Sequence, residues 1–213
     1  VITLLLDVDG TLIDSFPGIR DGFLHALDTV GWEHPSDEFT ARIPGPPMEE
    51  TLDSLGMDDA TRDRALAAYM EFTHAGGWQL AKAFPGMREL LATWKEEGYQ
   101  VVTATSKGEG FARAILEREG MLEHIDLLGA AQEDGPRRRK ADVIAHVLDN
   151  VDIGRGLMIG DRLHDIEGAA QFGLSTAAVT WGYGTQEEWD HAWAVAHTPA
   201  ELANIVTAFK EDQ

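Results

Sequence analysis

The sequence predicts an α/β fold: a doubly wound parallel sheet with a helical segment inserted after its first strand. Three observations predict it. Short apolar runs at 2–8, 99–105, 125–130, 156–159 and 176–181 have the length and residue types of buried strands. Helical patterns separate them, and strand alternating with helix implies parallel pairing with helices on both faces of the sheet. Between about 15 and 81 that rhythm stops, and only helical patterns occur. The division this implies is a core of residues 1–14 and 82–213 with a helical unit of residues 15–81.

Each element has its own warrant. The run Ile2-Thr3-Leu4-Leu5-Leu6 opens the first strand, and Gly10 lets the chain leave it sharply. Ile19, Phe23, Ala26, Leu27 and Val30 share one face of a helix that Gly31 ends. A second helix is expected over 48–55 and a third over 59–75, where Gly76-Gly77 stops it. Hinges are expected near Asp14-Ser15 and at 82–85. Helices then follow the strands at 86–97, 110–119, 140–150 and 165–172. Thr198-Pro199-Ala200-Glu201 has capping-box spacing with proline at the first helical position, so a last helix starts there.

Composition restricts the partners. The chain has 213 residues, 17 basic against 37 acidic, for a formal charge of −20. Such a field repels nucleic acid polymers and anionic membrane surfaces. No apolar run approaches the ~20 residues that span a bilayer, and the opening run lacks the flanks of a signal peptide, so a cytoplasmic location is expected. With no cysteine, any metal must sit on oxygen or imidazole.

Ligands in open parallel sheets bind beyond the carboxyl ends of the strands. Those ends carry Asp7-Val8-Asp9-Gly10-Thr11-Leu12, then Thr105-Ser106-Lys107, then Gly160-Asp161-Arg162-Leu163-His164-Asp165, and Lys140 opens the helix before the last of these. Period-two geometry sends Asp7 and Asp9 to the same side, which suits one nucleophile and one proton carrier. A polar turn explains Asp-x-Asp-Gly equally well when it is taken alone. Asp161 and Asp165 can hold Mg²⁺ or merely complement a helix dipole. Thr105 and Ser106 offer hydroxyls and N–H groups at a helix start, an anion site or a plain N-cap. Arg138 and Arg139, in the run Arg137-Arg138-Arg139-Lys140, read as solvated. The conjunction of these elements, in one order along the chain, favours the chemical reading over the structural one.

That order resembles the haloacid dehalogenase-like phosphatase superfamily over essentially the whole chain. Its first motif resembles 7–12, its second Thr105, its third Lys140 and its fourth 160–165. Asp14-Ser15-Phe16-Pro17-Gly18-Ile19, Gly45-Pro46-Pro47, Phe84-Pro85-Gly86, Asp134-Gly135 and Trp181-Gly182-Tyr183-Gly184 are similar to the phosphoglycolate phosphatase branch, and Arg162 with His164 resembles a subgroup that includes 5′-nucleotidases. The resemblance implies a Rossmann-like core, a mobile helical cap at 15–81, and a phosphatase acting on a small phosphorylated metabolite. It implies Asp7 as nucleophile, Asp9 as general acid and base, and Thr105, Ser106 and Lys140 as ligands of the phosphoryl group. Mg²⁺ would be held by Asp7, the Asp9 carbonyl, Asp161 and Asp165. An extra proline, Pro44, precedes Gly45-Pro46-Pro47 and departs from the branch pattern.

Two other readings use the same residues. A phosphomutase shares the core, but sugar mutases of the superfamily carry a histidine and an aromatic pair in the first cap helix, and His25 stands without that pattern. A regulatory protein retaining the fold would be free to lose carboxylates that are costly to hold together, and none is missing. A dehalogenase would need neither Asp9 nor the magnesium carboxylates.

Overall fold

In the computed structural model, which describes residues 1–211, the apolar runs become strands in register. β1 (Ile2–Leu6) lies inside the sheet, paired in parallel with β4 (Gln100–Thr103) on one side and β7 (Arg155–Gly160) on the other. β8 (Ser175–Val179) and β9 (Ala194–Ala196) extend the sheet in parallel, giving the order β4-β1-β7-β8-β9. Burial explains why these strands read as continuous apolar runs. Leu4, Leu6, Val101, Leu157 and Ile159 face one packed layer, whereas Leu5, Val102 and Met158 face the other.

Helices cover both faces. α5 (Met87–Glu96), α6 (Glu109–Arg118) and α10 (Pro199–Glu211) send Met87, Leu91, Trp94, Ile115, Leu202, Val206 and Phe209 into the first layer. α7 (Lys140–Asn150) and α8 (Leu163–Ala170) supply Val143, Ile144, Val147 and Ala169 to the second. Thr198 caps α10 as its spacing predicts, its Oγ1 accepting from the Glu201 N–H at 3.1 Å.

The inserted helices are α1 (Phe16–Val30), α2 (Asp37–Ala41), α3 (Met48–Ser54) and α4 (Asp59–His74). They bury a third apolar cluster of their own, in which Ile19, Phe23, Ala26 and Leu27 of α1 meet Met48, Leu52, Ala65 and Ala68. The chain enters and leaves this segment through β2 (Ile13–Asp14) and β3 (Lys82–Ala83), paired antiparallel. The two expected hinges are therefore side by side and hydrogen-bonded.

Three details depart from the sequence reading. The strand expected at 125–130 is only partly regular: Asp126, Leu127 and Gly129 bond to Val101, Thr103 and Thr105 along the edge of β4, and only β6 (Ala130–Ala131) forms a ladder, with β5 (Thr105–Gly108). Thr105 and Ser106 accordingly lie in that short strand rather than at a helix start, because the β5–β6 pairing keeps the chain extended until α6 begins at Glu109. The short α9 (Gln186–Trp189), α2 and β9 are not foreseen in the sequence.

Candidate active site

With 126–131 beside β4, chain order across the sheet reverses between β1 and β7, and a crevice opens beyond the carboxyl ends of strands at such a reversal. Asp7 follows β1 and Asp161 follows β7 on either side of it. The Asp7 N–H donates to the Ile159 carbonyl at 2.9 Å, which extends the pairing to the nucleophile candidate itself.

Lys140 organises the floor of the crevice. As the first residue of α7 it is buried, and its Nζ lies 2.7 Å from Asp7 Oδ1, 2.8 Å from Asp165 Oδ1 and 2.7 Å from the Ala104 carbonyl. Asp165 plays two parts, since its Oδ2 also accepts from the Arg162 N–H at 3.0 Å and so caps α8. Asp165 thus stands both at the cap of α8 and in the cluster of buried carboxylates. Asp161 is fully buried, with Oδ2 accepting from the Tyr183 N–H at 2.6 Å. Gly10 and Gly182 make room for it: a Cβ on either would overlap the Asp161 carboxylate, and Gly10 also has a positive φ of 83°.

The structure brings Asp7, Asp161, Asp165 and Lys140 together, and carboxylate oxygens of the three aspartates lie within 4.8 Å of one another. Asp9 is turned elsewhere. Its carboxylate accepts from Lys107 Nζ at 3.0 and 3.1 Å and from the Ser15 hydroxyl. Asp9, Ser106 and Lys107 line a cavity of about 480 Å³ between the core and the inserted helices. Ser106 also shares a smaller cleft of about 220 Å³ with Lys140, Gly45 and His164. Thr105 is buried, and its Oγ1 accepts from the Lys107 N–H at 3.2 Å.

Lys107 is the residue that sequence reasoning missed. It stands beside Ser106, but nothing local announces that its partner is Asp9, 98 positions away. Arg138 corrects the solvated reading of the basic run, being half-buried, whereas Arg139 is exposed as expected. Arg138 pairs with Glu49 and Arg139 with Glu50, both in the first turn of α3, where acidic residues gather at the positive end of the helix. Arg162 likewise reaches across, donating to the Arg42 carbonyl at 3.3 Å and to the Pro44 carbonyl while pairing with Glu188 at 3.0 Å.

The charges of the site are unevenly matched. Burial pushes the Asp7 carboxyl up to about 6 against the lowering influence of Lys140, and burial with Asp165 nearby holds Asp161 well above its ordinary value. For Lys140, burial acts downward, but Asp165 and Asp7 outweigh it and hold the ammonium above its usual range. Lys140 thus faces two of the three buried carboxylates, Arg162 acts on Asp161 while itself paired with Glu188, and Asp161 Oδ1 has no hydrogen-bond partner. Hard oxygen donors, an unpartnered buried oxygen and surplus negative charge fit a divalent cation such as Mg²⁺.

A pH dependence follows for protein stripped of divalent cations. Between the ordinary carboxylate value near 4 and about 6, the folded chain binds more protons at Asp7 than the unfolded chain does. The Asp7 contribution to stability then falls as pH rises through that window, and Asp161 acts in the same direction. Mg²⁺ should reverse the loss, so the gap between melting temperatures with Mg²⁺ and with chelator should widen from pH 4 to pH 7. A gap that stayed constant or narrowed would contradict a cation site at these carboxylates.

Comparison with known proteins places the chain. Residues 4–179 match the family model of haloacid dehalogenase-like hydrolases. The chain is 32% identical over 205 residues to a 5′-nucleotidase of Pseudomonas aeruginosa, covering 95% of this chain and 92% of that one. It is 40% identical over 183 residues to the tyrosine-protein kinase PtkA of Mycobacterium tuberculosis, covering 85% of this chain but only 62% of that longer protein. The structure resembles that of a predicted phosphatase from Clostridium acetobutylicum, with a TM-score of 0.90 at 29% identity over 97% of this chain and 98% of the other. The motif order, the crevice at the sheet reversal and these similarities agree: the chain belongs to the haloacid dehalogenase-like hydrolase family.

Proposed function

We propose that the chain is a Mg²⁺-dependent phosphatase of small phosphate monoesters that works through an aspartyl-phosphate on Asp7. The observation that carries this reading is the setting of Asp7, a buried carboxylate with a lysine at 2.7 Å on one oxygen, at the sheet reversal, beside two further buried aspartates. A buried carboxylate held this way is oriented and poorly hydrated, as a nucleophile should be.

In the first step an Asp7 oxygen attacks phosphorus, and the P–O bond to the alcohol breaks while Asp9 supplies the proton to the departing oxygen. In the second step Asp9, now ionised, takes a proton from water as that water attacks phosphorus, and the Asp7–phosphorus bond breaks to release phosphate. The position of Asp9 supports this division, since its carboxylate lies on the cavity wall rather than in the carboxylate cluster. Lys140 offsets the crowded negative charge, and Thr105, Ser106 and Lys140 bind the phosphoryl oxygens. Mg²⁺, held by Asp7, the Asp9 carbonyl, Asp161 and Asp165, would supply charge neutralisation toward the phosphoryl group. Residues 15–81 act as a cap that excludes water and contacts the leaving group, on a core of 1–14 and 82–213.

The 5′-nucleotidase name of one relative supports a monoester substrate. The direct test is hydrolysis of p-nitrophenyl phosphate. Activity should require Mg²⁺, and Ca²⁺ should inhibit, because its looser coordination lets Asp7 bind with both oxygens and leaves none free to attack. Full activity in excess chelator would overturn the proposal.

A further inference from the structure

Asp9 serves both steps of the mechanism proposed above, so whatever fixes the direction of its carboxyl bears on both. Within that reading, on which the inference rests, we infer that Tyr183 is a positioning residue that aims Asp9 through the Ser15 hydroxyl. Lys107 Nζ and the Ser15 hydroxyl both donate to the Asp9 carboxyl. Lys107 reaches both oxygens from a flexible four-carbon stem, so it can follow the carboxyl as it turns. Ser15 bonds to Oδ1 alone, and a single rotor separates its oxygen from the backbone. A carboxyl keeps an acceptor oxygen with or without its proton, so Ser15 can hold Asp9 both as acid and as base.

The start of α1 shows why Ser15 is free to do this. A serine at the head of a helix ordinarily accepts from an N–H of the first turn, but Ser15 makes no such bond, its hydroxyl being turned to Asp9. Tyr183 holds the helix start instead. Its phenol oxygen accepts from the Ser15 N–H at 2.8 Å and from the Phe16 N–H at 3.1 Å, and it donates to Asp14 Oδ1 at 2.9 Å. These bonds use its proton and both lone pairs. Phe16 N–H has a second acceptor in Asp14 Oδ1 at 3.2 Å, but among the described residues the Ser15 N–H has no acceptor except Tyr183. The tyrosine is fixed in turn by the loop after β8. Its own N–H donates to Asp161 Oδ2 at 2.6 Å, and Trp181 Nε1 donates to the Thr11 carbonyl at 3.0 Å. Gly182 packs so closely that a Cβ there would overlap Asp161 and the Gly10 carbonyl. Contacts therefore run without a break from Asp161 through Tyr183 and Ser15 to Asp9.

Two esters read the aim of Asp9. For both p-nitrophenyl phosphate and phenyl phosphate, kcat/KM reports formation of the phosphoenzyme, but only the phenol needs a proton as it leaves. Tyr183→Phe keeps the ring near Phe16 and the N–H on Asp161 while removing the phenol oxygen. It should lower kcat/KM for phenyl phosphate by about tenfold and for p-nitrophenyl phosphate by no more than about twofold. Ser15→Ala should do the same. In the Asp9→Asn background there is no acid left to aim, and Tyr183→Phe should then change either ester by no more than about twofold. Because the Asp161 contact persists, Mg²⁺ should raise the melting temperature of Tyr183→Phe by the same increment as in the natural protein. The inference is overturned if Tyr183→Phe leaves the ratio of the two esters unmoved while Asp9→Asn raises it. It is also overturned if the effect on phenyl phosphate survives in the Asp9→Asn background, or if the Mg²⁺ increment is lost. A ratio that Asp9→Asn itself leaves unmoved would overturn the acid role of Asp9, the reading beneath this one.

Discussion

Asp7→Asn is expected to abolish turnover of any phosphate ester, by about 10⁴-fold or more, while leaving the protein folded. An amide oxygen is a poor nucleophile, and the substitution also withdraws one carboxylate from the cation site. The folded state should tolerate it well. At neutral pH the ionised Asp7 is held at a cost, since burial pushes its carboxyl up to about 6 despite Lys140. A neutral side chain of the same shape escapes that cost, and Lys140 keeps Asp165 at 2.8 Å. In chelator the variant should therefore melt no lower than the natural protein. Steady-state assays with p-nitrophenyl phosphate and thermal melting check the two halves separately. Turnover within tenfold of the natural protein would remove Asp7 from the centre of the mechanism.

Lys140→Ala is expected to be nearly as damaging and for a different reason. The ammonium is the one side-chain cation that the described residues place against Asp7 and Asp165, and it also donates to the Ala104 carbonyl. Without it, buried carboxylates face each other with no compensation, which typically costs about 3–5 kcal/mol when one partner of a buried pair is removed. Activity should fall by about 10³-fold, because negative charge would then meet an anionic substrate. Mg²⁺ should restore part of the lost stability and little of the activity. Arg138→Ala offers the contrast. It removes a partly exposed pair with Glu49 at the cavity edge, so hydrolysis of a small aryl phosphate should stay within about threefold. Equal losses in the two variants would mean that the basic run has been assigned the wrong member.

The contrast between Lys140 and Arg138 also shows where sequence reasoning reaches and where it stops. Leu4, Leu5 and Leu6 announce a strand buried on both faces because alternate residues fill two packed layers. The strand ends then place Asp7, Asp161 and the start of α7 near one another with no long-range information beyond the parallel order. Lys140 is legible for that reason. Arg138, two residues earlier, has a partner 89 positions away, in a helix that no rule of the core positions, so a run of basic residues reads as solvated. Lys107 is hidden in the same way behind its distance from Asp9. The paired strands β2 and β3 are two residues each, too short for any period to show, although they are the passage through which the inserted helices join the sheet. Local pattern reveals what burial dictates. Contacts made by long polar side chains across the cavity depend on how the inserted helices sit, and that is set by packing rather than by any motif.

The proposed mechanism requires a covalent intermediate at Asp7, and Asp9→Asn is the variant that exposes it. Asparagine can still accept from the Ser15 hydroxyl, so the loop between β1 and α1 should hold its shape. Attack by Asp7 on p-nitrophenyl phosphate needs little help from an acid, because the leaving group is already good. The second step needs a base to activate water, and an amide provides none. Rapid-quench kinetics on this variant should show a burst of nitrophenol near one equivalent of enzyme, followed by slow turnover. The trapped phosphate should be acid-stable and base-labile and should map to Asp7. Turnover indistinguishable from the natural protein, or phosphate trapped on Thr105 or Ser106, would contradict the mechanism.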